Sequence, residues 1–290
     1  MTTTKPPENM FSSSTLRNFT MCPRYSQLRD DLGLVPHDIS PSPKTEFGAA
    51  FHLAVELLDK GASQTEAILK STDYFRPYEP APSISAAGNE IESLYTCVRL
   101  AKIIVEWMEY WKDDPITVWQ GLSEEGFAEE LIPGIYYCGR IDRIIEERLG
   151  IRPSDLKTTK TLSSYIYCPH DQAQGYQWLA KKFFGSKITG FLFDMIGLAK
   201  SKRTFHREPI TYTDFQINDW LEGRKRIVEN IFHCRKTGFW PKYSQKCNDY
   251  FSPCQYIPVC NATSDVGYER ILKCYDVDYW FSYNIEGVEK

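Results

Sequence analysis

The chain has 290 residues, a formal net charge of -4, and 42% hydrophobic and 14% aromatic residues. This composition excludes a disordered chain and allows one sizeable core, and the acidic balance excludes a uniformly basic nucleic-acid coat but not a basic groove. The polar start from Met1 to Asn9 lacks the apolar run of a signal peptide and no stretch reaches the length of a membrane span, so a cytoplasmic protein without membrane contact is expected.

Residues 1–10 read as a loose tail. A short helix with a Ser or Thr cap begins in Phe11-Ser12-Ser13-Ser14-Thr15-Leu16 and leads to Cys22-Pro23. After a Pro/Ser loop at 36–43, the spacing of Phe47, Phe51, Ala54 and Leu58 predicts a helix over about 45–60. His52 and Glu56 lie off that stripe, and Gly48 and Ala49 are small enough for another backbone or a DNA strand to approach. Residues 71–87 read as a mobile linker. A helix over about 88–112 follows, with Ile91, Leu94, Val98, Ala101, Val105 and Met108 as its buried stripe and Asp113-Asp114-Pro115 as its stop. Two short strands are expected at about 117–120 and 126–132. Any of Glu124, Glu125, Glu129 or Glu130 could add a carboxylate to a site, and the sequence does not choose among them.

The alternation from Ile135 to Ile145 predicts a strand with Asp142 committed to one face. A polar turn at 146–150 separates it from a second strand ending near Lys160, in which Asp155 and Lys157 share a face and Leu156 points into a core. Two carboxylates on neighbouring strands suit a hard cation such as Mg²⁺ or Mn²⁺, and a lysine beside them suits a phosphate or an attacking water. Gln172, Tyr176, Leu179 and Phe183 form one stripe of the next helix, which opens beside that lysine.

An apolar strand at about 188–199 and a partner at about 204–213 are expected across the basic turn 200–203, followed by a long helix over about 214–237. Core packing is the expected role of Trp220, with base stacking as the alternative. Basic runs at Lys157/Lys160, Lys181/Lys182/Lys187, Lys200/Lys202/Arg203/Arg207 and Arg224/Lys225/Arg226 are candidates for DNA contact as well as for solvated faces. In a reducing compartment the nine cysteines are not a disulfide framework. Cys247, Cys254 and Cys260 fall in a Pro-containing loop, a pattern of metal ligands; Cys97, Cys138, Cys168, Cys234 and Cys274 read as core or incidental.

Four motifs stand in order: Gly48 to His52 (Gly-x-x-x-His), Gly139 to Asp142 (Gly-x-x-Asp), Asp155 to Lys157 (Asp-x-Lys) and Gln172 to Tyr176 (Gln-x-x-x-Tyr). In these residues the chain resembles the PD-(D/E)XK nuclease superfamily, in its RecB-like exonuclease branch, and is similar to CRISPR-associated RecB-like exonucleases and AddB-type nuclease domains. The resemblance implies an α/β restriction-endonuclease-like core, a mixed sheet flanked by helices. It implies one nuclease domain over 11–261, with a helical insert at about 60–115, a cysteine segment at 241–261 and a C-terminal tail at 262–290.

It further implies that His52, Asp142, Asp155 and the carbonyl of Leu156 bind Mg²⁺ or Mn²⁺, and that Lys157, Gln172 and Tyr176 serve the same centre. In related nucleases one early and three late cysteines hold a [4Fe-4S] cluster, which makes Cys22 the partner of Cys247, Cys254 and Cys260 and joins the two ends of the domain. The interval from Cys247 to Cys254 is longer than the family's usual spacing. A four-thiolate zinc site is the alternative. The implied activity is exonucleolytic hydrolysis of single-stranded or frayed DNA, in recombination, phage replication or CRISPR adaptation. No phosphate-binding helicase loop occurs, so unwinding would need a partner. The rival readings are a DNA-binding scaffold with a vestigial centre and a restriction-type endonuclease.

Overall fold

The computed structural model describes residues 5–38, 41–84, 90–91, 93–114, 116–159, 169–199, 204–249 and 252–279. In chain order its elements run β1 (Met10–Ser12), α1 (Ser13–Met21), α2 (Pro23–Ser26), β2 (Leu34–Pro36), α3 (Pro43–Asp59), α4 (Gln64–Phe75), β3 (Ser83–Ile84), β4 (Glu90–Ile91), α5 (Cys97–Tyr110), β5 (Thr117–Ile132) and β6 (Ile135–Glu147). They continue with β7 (Gly150–Thr159), α6 (Asp171–Phe184), β8 (Phe191–Gly197), β9 (Thr204–Ile210), α7 (Asp214–Thr237), β10 (Asn248–Asp249), β11 (Ser252–Pro253), α8 (Ile257–Cys260), α9 (Asp265–Leu272) and β12 (Tyr275–Val277).

The central sheet is mixed and runs β1-β6-β7-β8-β9, with β5 also on β6. β6 and β7 are antiparallel, whereas β7 and β8 are parallel. A parallel pair needs a crossover, and α6 lies in that connection, so its N-terminus follows the strand carrying Asp155 and Lys157. The expected α/β core with a sheet flanked by helices is therefore what forms. Two compact units divide the chain: Met1–Ile39, Gly126–Gly139 and Thr213–Lys290 in one, Ser40–Glu125 and Arg140–Tyr212 in the other.

In the second unit α3, α4 and α5 bury Phe47, Phe51, Ala54, Phe75 and Ile103 in one core with Leu156 and Ile196 of the sheet. Each of the fully buried phenylalanine and isoleucine side chains contributes about 1.5–3 kcal/mol. Where a linker is expected, α4 runs through Ser71 to Phe75. Its hydroxyls explain why a polar stretch can be helical and buried: Ser71 and Thr72 both donate back to the Ile68 carbonyl, at 3.1 and 2.8 Å. The next helix starts at Cys97 rather than near 88, because Thr96 caps it by accepting from the Arg99 amide. Its buried face is Leu100, Ile103, Ile104 and Trp107, so the expected stripe is out of phase, with Val98 79% and Val105 42% exposed. Both phases are apolar at helical spacing, and packing against the neighbouring helices selects one.

The two short strands expected before Pro133 are one, β5, interrupted by left-handed backbone at Gln120, Gly121 and Glu124 (φ 51°, 70° and 59°). Such interruptions bend a strand and re-aim its side chains. On α6 the residues from Ala173 to Ala180 are all buried, and Phe183, expected on the buried stripe, is 51% exposed. The strand pair β8 and β9 forms as expected; the basic turn at 200–203, Lys160 and Cys168 lie outside the described residues.

In the first unit the Ser12 hydroxyl caps α1, as its serine-rich start predicts. α7 has the expected bounds: Thr213 and Gln216 form a capping box, and Gly238 ends the helix in the left-handed region that glycine favours. Trp220 is buried edge-on against Tyr137 with ring centroids 5.3 Å apart, so its role is core packing. Within 262–279, α9 leads to β12, which pairs antiparallel with β2. Among the described residues no helix is long and apolar enough to cross a membrane.

Candidate active site

Gly48 brings α3 close to β7, since a Cβ at that position would lie 3.1 Å from Thr158 Oγ1. One turn further along α3, His52 therefore reaches the strand, and its Nε2 sits 2.9 Å from the Leu156 carbonyl oxygen. Its Nδ1 lies 3.4 Å from Glu124 Oε1 and 3.4 Å from Asp142 Oδ2. Among the described residues, His52, Glu124 and Asp142 are the group whose ligand atoms converge within 4.8 Å. An imidazole binds one ion through one nitrogen; Nδ1 is the one that faces both carboxylates, and Nε2 stands at hydrogen-bond distance from the Leu156 carbonyl oxygen. An imidazole with two carboxylates and a backbone carbonyl suits Mn²⁺ or Mg²⁺.

Glu124 is the residue the sequence left unresolved. Its left-handed backbone turns the carboxylate toward His52, and Arg140 holds it, with Nε 2.8 Å from Oε2 and donating to the Glu124 carbonyl at 3.0 Å. Glu125 is not in the converging group, and Glu130 accepts instead from the Gly134 amide. Asp142 is anchored through Oδ2, which accepts from the Leu156 amide at 2.7 Å.

Beside this group stands a second one. Lys157 Nζ lies 2.6 Å from Asp155 Oδ2 and donates to Gln172 Oε1 at 3.2 Å, and Gln172 Nε2 donates to Asp155 Oδ1 at 2.8 Å. The expected shared face of Asp155 and Lys157, and the arrival of Gln172 from the next helix, are thus present. Leu156 points into the core as predicted. Asp155 is almost fully buried and both its oxygens meet Lys157 and Gln172, while the converging group is completed by Glu124. Tyr176 is buried one turn along α6 with its ring 6.3 Å from that of Phe191.

Burial disfavours charge at this centre. It pushes the Asp142 carboxyl up, and the carboxylates of Asp155 and Glu124 add to the shift while His52 opposes it. Burial alone would lower the His52 pKa, but Asp142 and Glu124 reverse this and raise it to about 9. Both shifts favour the protonated forms, which compete with a cation for these side chains.

A buried pair supports the ligand-bearing elements from beneath. Arg143 donates from Nε and Nη2 to Asp59 at 2.9 and 3.0 Å, and its guanidinium lies over the Trp107 ring at 5.6 Å. Ser123 Oγ lies 3.0 Å from Asp59 Oδ2 and 3.2 Å from the Asp142 carbonyl oxygen. Sequence reasoning missed this pair, whose members stand 84 residues apart.

In the first unit Cys22, Cys247, Cys254 and Cys260 line one cavity of about 160 Å³. Cys22 is extended, as a residue before proline must be, and its sulfur accepts from the Tyr243 amide at 3.4 Å. The Cys254 amide donates to the Cys247 carbonyl at 2.9 Å, so the longer interval between these two residues still brings their backbones together. Burial pushes the Cys254 and Cys260 thiols up, and the neighbouring cysteines add to the shift. No three of these sulfurs converge within 4.8 Å among the described residues.

A mixed sheet carrying a histidine-carboxylate group able to hold a metal ion, beside an Asp-Lys-Gln group, is an arrangement that fits a nuclease. The PD-(D/E)XK nuclease superfamily matches over residues 10–261, and the chain belongs to it. No curated protein matches the chain. Among solved structures, one described as "Crystal structure of SSO0001" is similar at 13% identity, over 83% of this chain and 82% of that one, with a TM-score of 0.37.

Proposed function

We propose that the protein is a Mg²⁺- or Mn²⁺-dependent deoxyribonuclease that hydrolyses phosphodiester bonds from a free end of single-stranded or frayed DNA. The observation that carries the reading is the convergence of His52, Glu124 and Asp142 beside the Asp155-Lys157-Gln172 group. A bound divalent cation supplies Lewis acidity and a water of lowered pKa. His52, Asp142, Asp155 and the Leu156 carbonyl would hold it, with Glu124 as a further ligand. Asp155 and Gln172 fix the Lys157 ammonium, which stabilises the charge developing on the phosphate. The imidazole ligand favours Mn²⁺ over what an all-oxygen site would give.

Action from an end, and the RecB-like branch, rest on the order of the four motifs. On this reading residues 11–261 form one cytoplasmic nuclease domain that works with a helicase or with recombination or CRISPR adaptation partners. The four cysteines are proposed to hold a [4Fe-4S] cluster. A zinc ion with Zn–S bonds of about 2.3 Å draws its four sulfurs to within about 4 Å of one another. The wider spread around a shared cavity suits a cluster, in which each thiolate binds a different iron.

The test is incubation of anaerobically purified protein with end-labelled single-stranded DNA and Mn²⁺ or Mg²⁺, with Asp142→Asn as control. Metal-dependent shortening by the wild type alone is expected. Binding without cleavage under either metal would favour the scaffold reading, and cleavage of circular DNA would favour an endonuclease.

A further inference from the structure

Away from the metal-binding group, the second unit carries a surface where aromatic rings and lysines alternate. Trp119 of β5 and Phe184 of α6 meet edge to face with centroids 5.1 Å apart, and Phe183 stands 6.4 Å from Phe184. Lys187 Nζ lies over the Trp119 ring at 5.5 Å, and Lys182 Nζ lies 5.8 Å from the Trp178 centroid. The ordinary account of lysines here is that they complement the C-terminal end of the α6 dipole. Phe183 is 51% exposed although every residue from Ala173 to Ala180 is buried, and Phe184 beside it is half-buried against Trp119.

Along these two stretches of sequence the charges are of one sign. Between Ala180 and Lys187 the charged residues are Lys181, Lys182 and Lys187, and from Thr117 to Leu122 there are none, in a chain whose net charge is -4. The location is equally specific. Trp119 and Phe184 sit on the two elements that carry Glu124 and Gln172. Five residues of strand span at most about 17 Å, and twelve of helix about 18 Å, so both rings lie at comparable reach from the site.

Resting on the nuclease reading above, we infer that Trp119, Phe183, Phe184, Lys182 and Lys187 form a stacking platform for the single-stranded DNA that leads into the active site. Bases stack on aromatic faces without regard to sequence, and lysines track the phosphates. The left-handed turn at Gln120 and Gly121 directly after Trp119 breaks the strand alternation there and sets this ring apart from the run leading to Glu124. A duplex has its bases already stacked, so it gains nothing from exposed rings.

Binding is read by fluorescence anisotropy of a labelled oligothymidylate of about 20 nucleotides, longer than one such site. No divalent metal is added. Phe183→Ala is expected to weaken binding about tenfold, within the range of one lost base stack. Lys182→Gln with Lys187→Gln should lower the slope of log affinity against log salt by about 1.4, the share of two phosphate contacts on a single strand. All three side chains are exposed, and an unchanged thermal transition checks the fold. Affinity for a duplex of equal length should not change. Wild-type affinity in the variants, or an equal loss on duplex, overturns the platform. Mn²⁺-dependent cleavage of the same oligonucleotide by the wild type is scored separately: binding that depends on Phe183 without any cleavage would sink the nuclease reading and leave the platform standing.

Discussion

Arg143 closes a two-pronged ion pair on Asp59, with Nε to Oδ2 at 2.9 Å and Nη2 to Oδ1 at 3.0 Å. Asp59 ends the helix that carries His52, and Arg143 follows Asp142 in its strand, so the pair clamps together two elements that present ligands. Ser123, next to Glu124, joins the third element through Asp59 Oδ2. Burial pushes the Asp59 carboxyl up, and Arg143 opposes the shift. Asp59→Ala removes both hydrogen-bonded prongs from a buried guanidinium and leaves it only the more distant Asp194 carboxylate, 3.9 Å from Nη1. It should destabilise the protein by about 3–5 kcal/mol and weaken Mn²⁺ binding in the fraction still folded. Urea denaturation and a metal titration check both parts, and a variant as stable as wild type would show that the clamp is dispensable.

Glu124 is distinguished from its neighbours by geometry alone. Glu124→Gln should weaken Mn²⁺ binding by more than the ~10–100-fold typical of an outer-shell partner, whereas Glu125→Gln should change it little. Calorimetric titration of both variants decides between them. Equal effects would remove Glu124 from the ligand set.

Metal affinity should rise with pH. The folded-state pKa of Asp142 lies above its ordinary value because of burial, and that of His52 lies above its own because the carboxylates of Asp142 and Glu124 outweigh burial. Both groups therefore hold protons in the metal-free protein at mildly acidic pH, and a cation must displace them. Mn²⁺ should bind more tightly, with less proton release, at about pH 8 than at about pH 6. Calorimetry in buffers of different ionisation enthalpy counts the protons; an affinity that falls over this interval contradicts the assignment.

Lys157 is held by Asp155 and Gln172 rather than by the converging group. Lys157→Met should lower cleavage by about 10²–10³, the loss typical of one transition-state donor, while leaving Mn²⁺ affinity close to wild type. Single-turnover cleavage alongside a metal titration separates these. Loss of metal binding in the variant would mean that the lysine orders the ligands instead.

For the cysteine cavity, anaerobically purified protein should contain iron and acid-labile sulfide and should be coloured. Cys254→Ala should lose both and become less soluble before its specific activity falls. Stoichiometric zinc without sulfide, or a stable, colourless and fully active Cys254→Ala protein, would refute the cluster.

Much of this centre could be read from spacing. Asp155 and Lys157 are two apart in a strand, so the period of the backbone puts them on one side whatever the rest of the chain does. Asp142 in the preceding strand and Gln172 opening the next helix follow from equally local patterns, as do the caps of α1 and α7. Two helices were less legible. The phase of α5 was ambiguous because both of its faces carry apolar residues at helical spacing, and α4 was hidden because its serine and threonine satisfy their hydroxyls within the helix.

The amino-acid sequence by itself determined the order of the strands and helices that carry the site, the face each site residue takes within its own strand or helix, and the motifs of a nuclease, since these depend on neighbours a few residues away. Only the tertiary structure decided which of four glutamates joins His52 and Asp142, and that Asp59 and Arg143 brace them. The choice of Glu124 depends on left-handed backbone in an interrupted strand, and the brace on two residues brought together by folding. Neither is encoded in a local period.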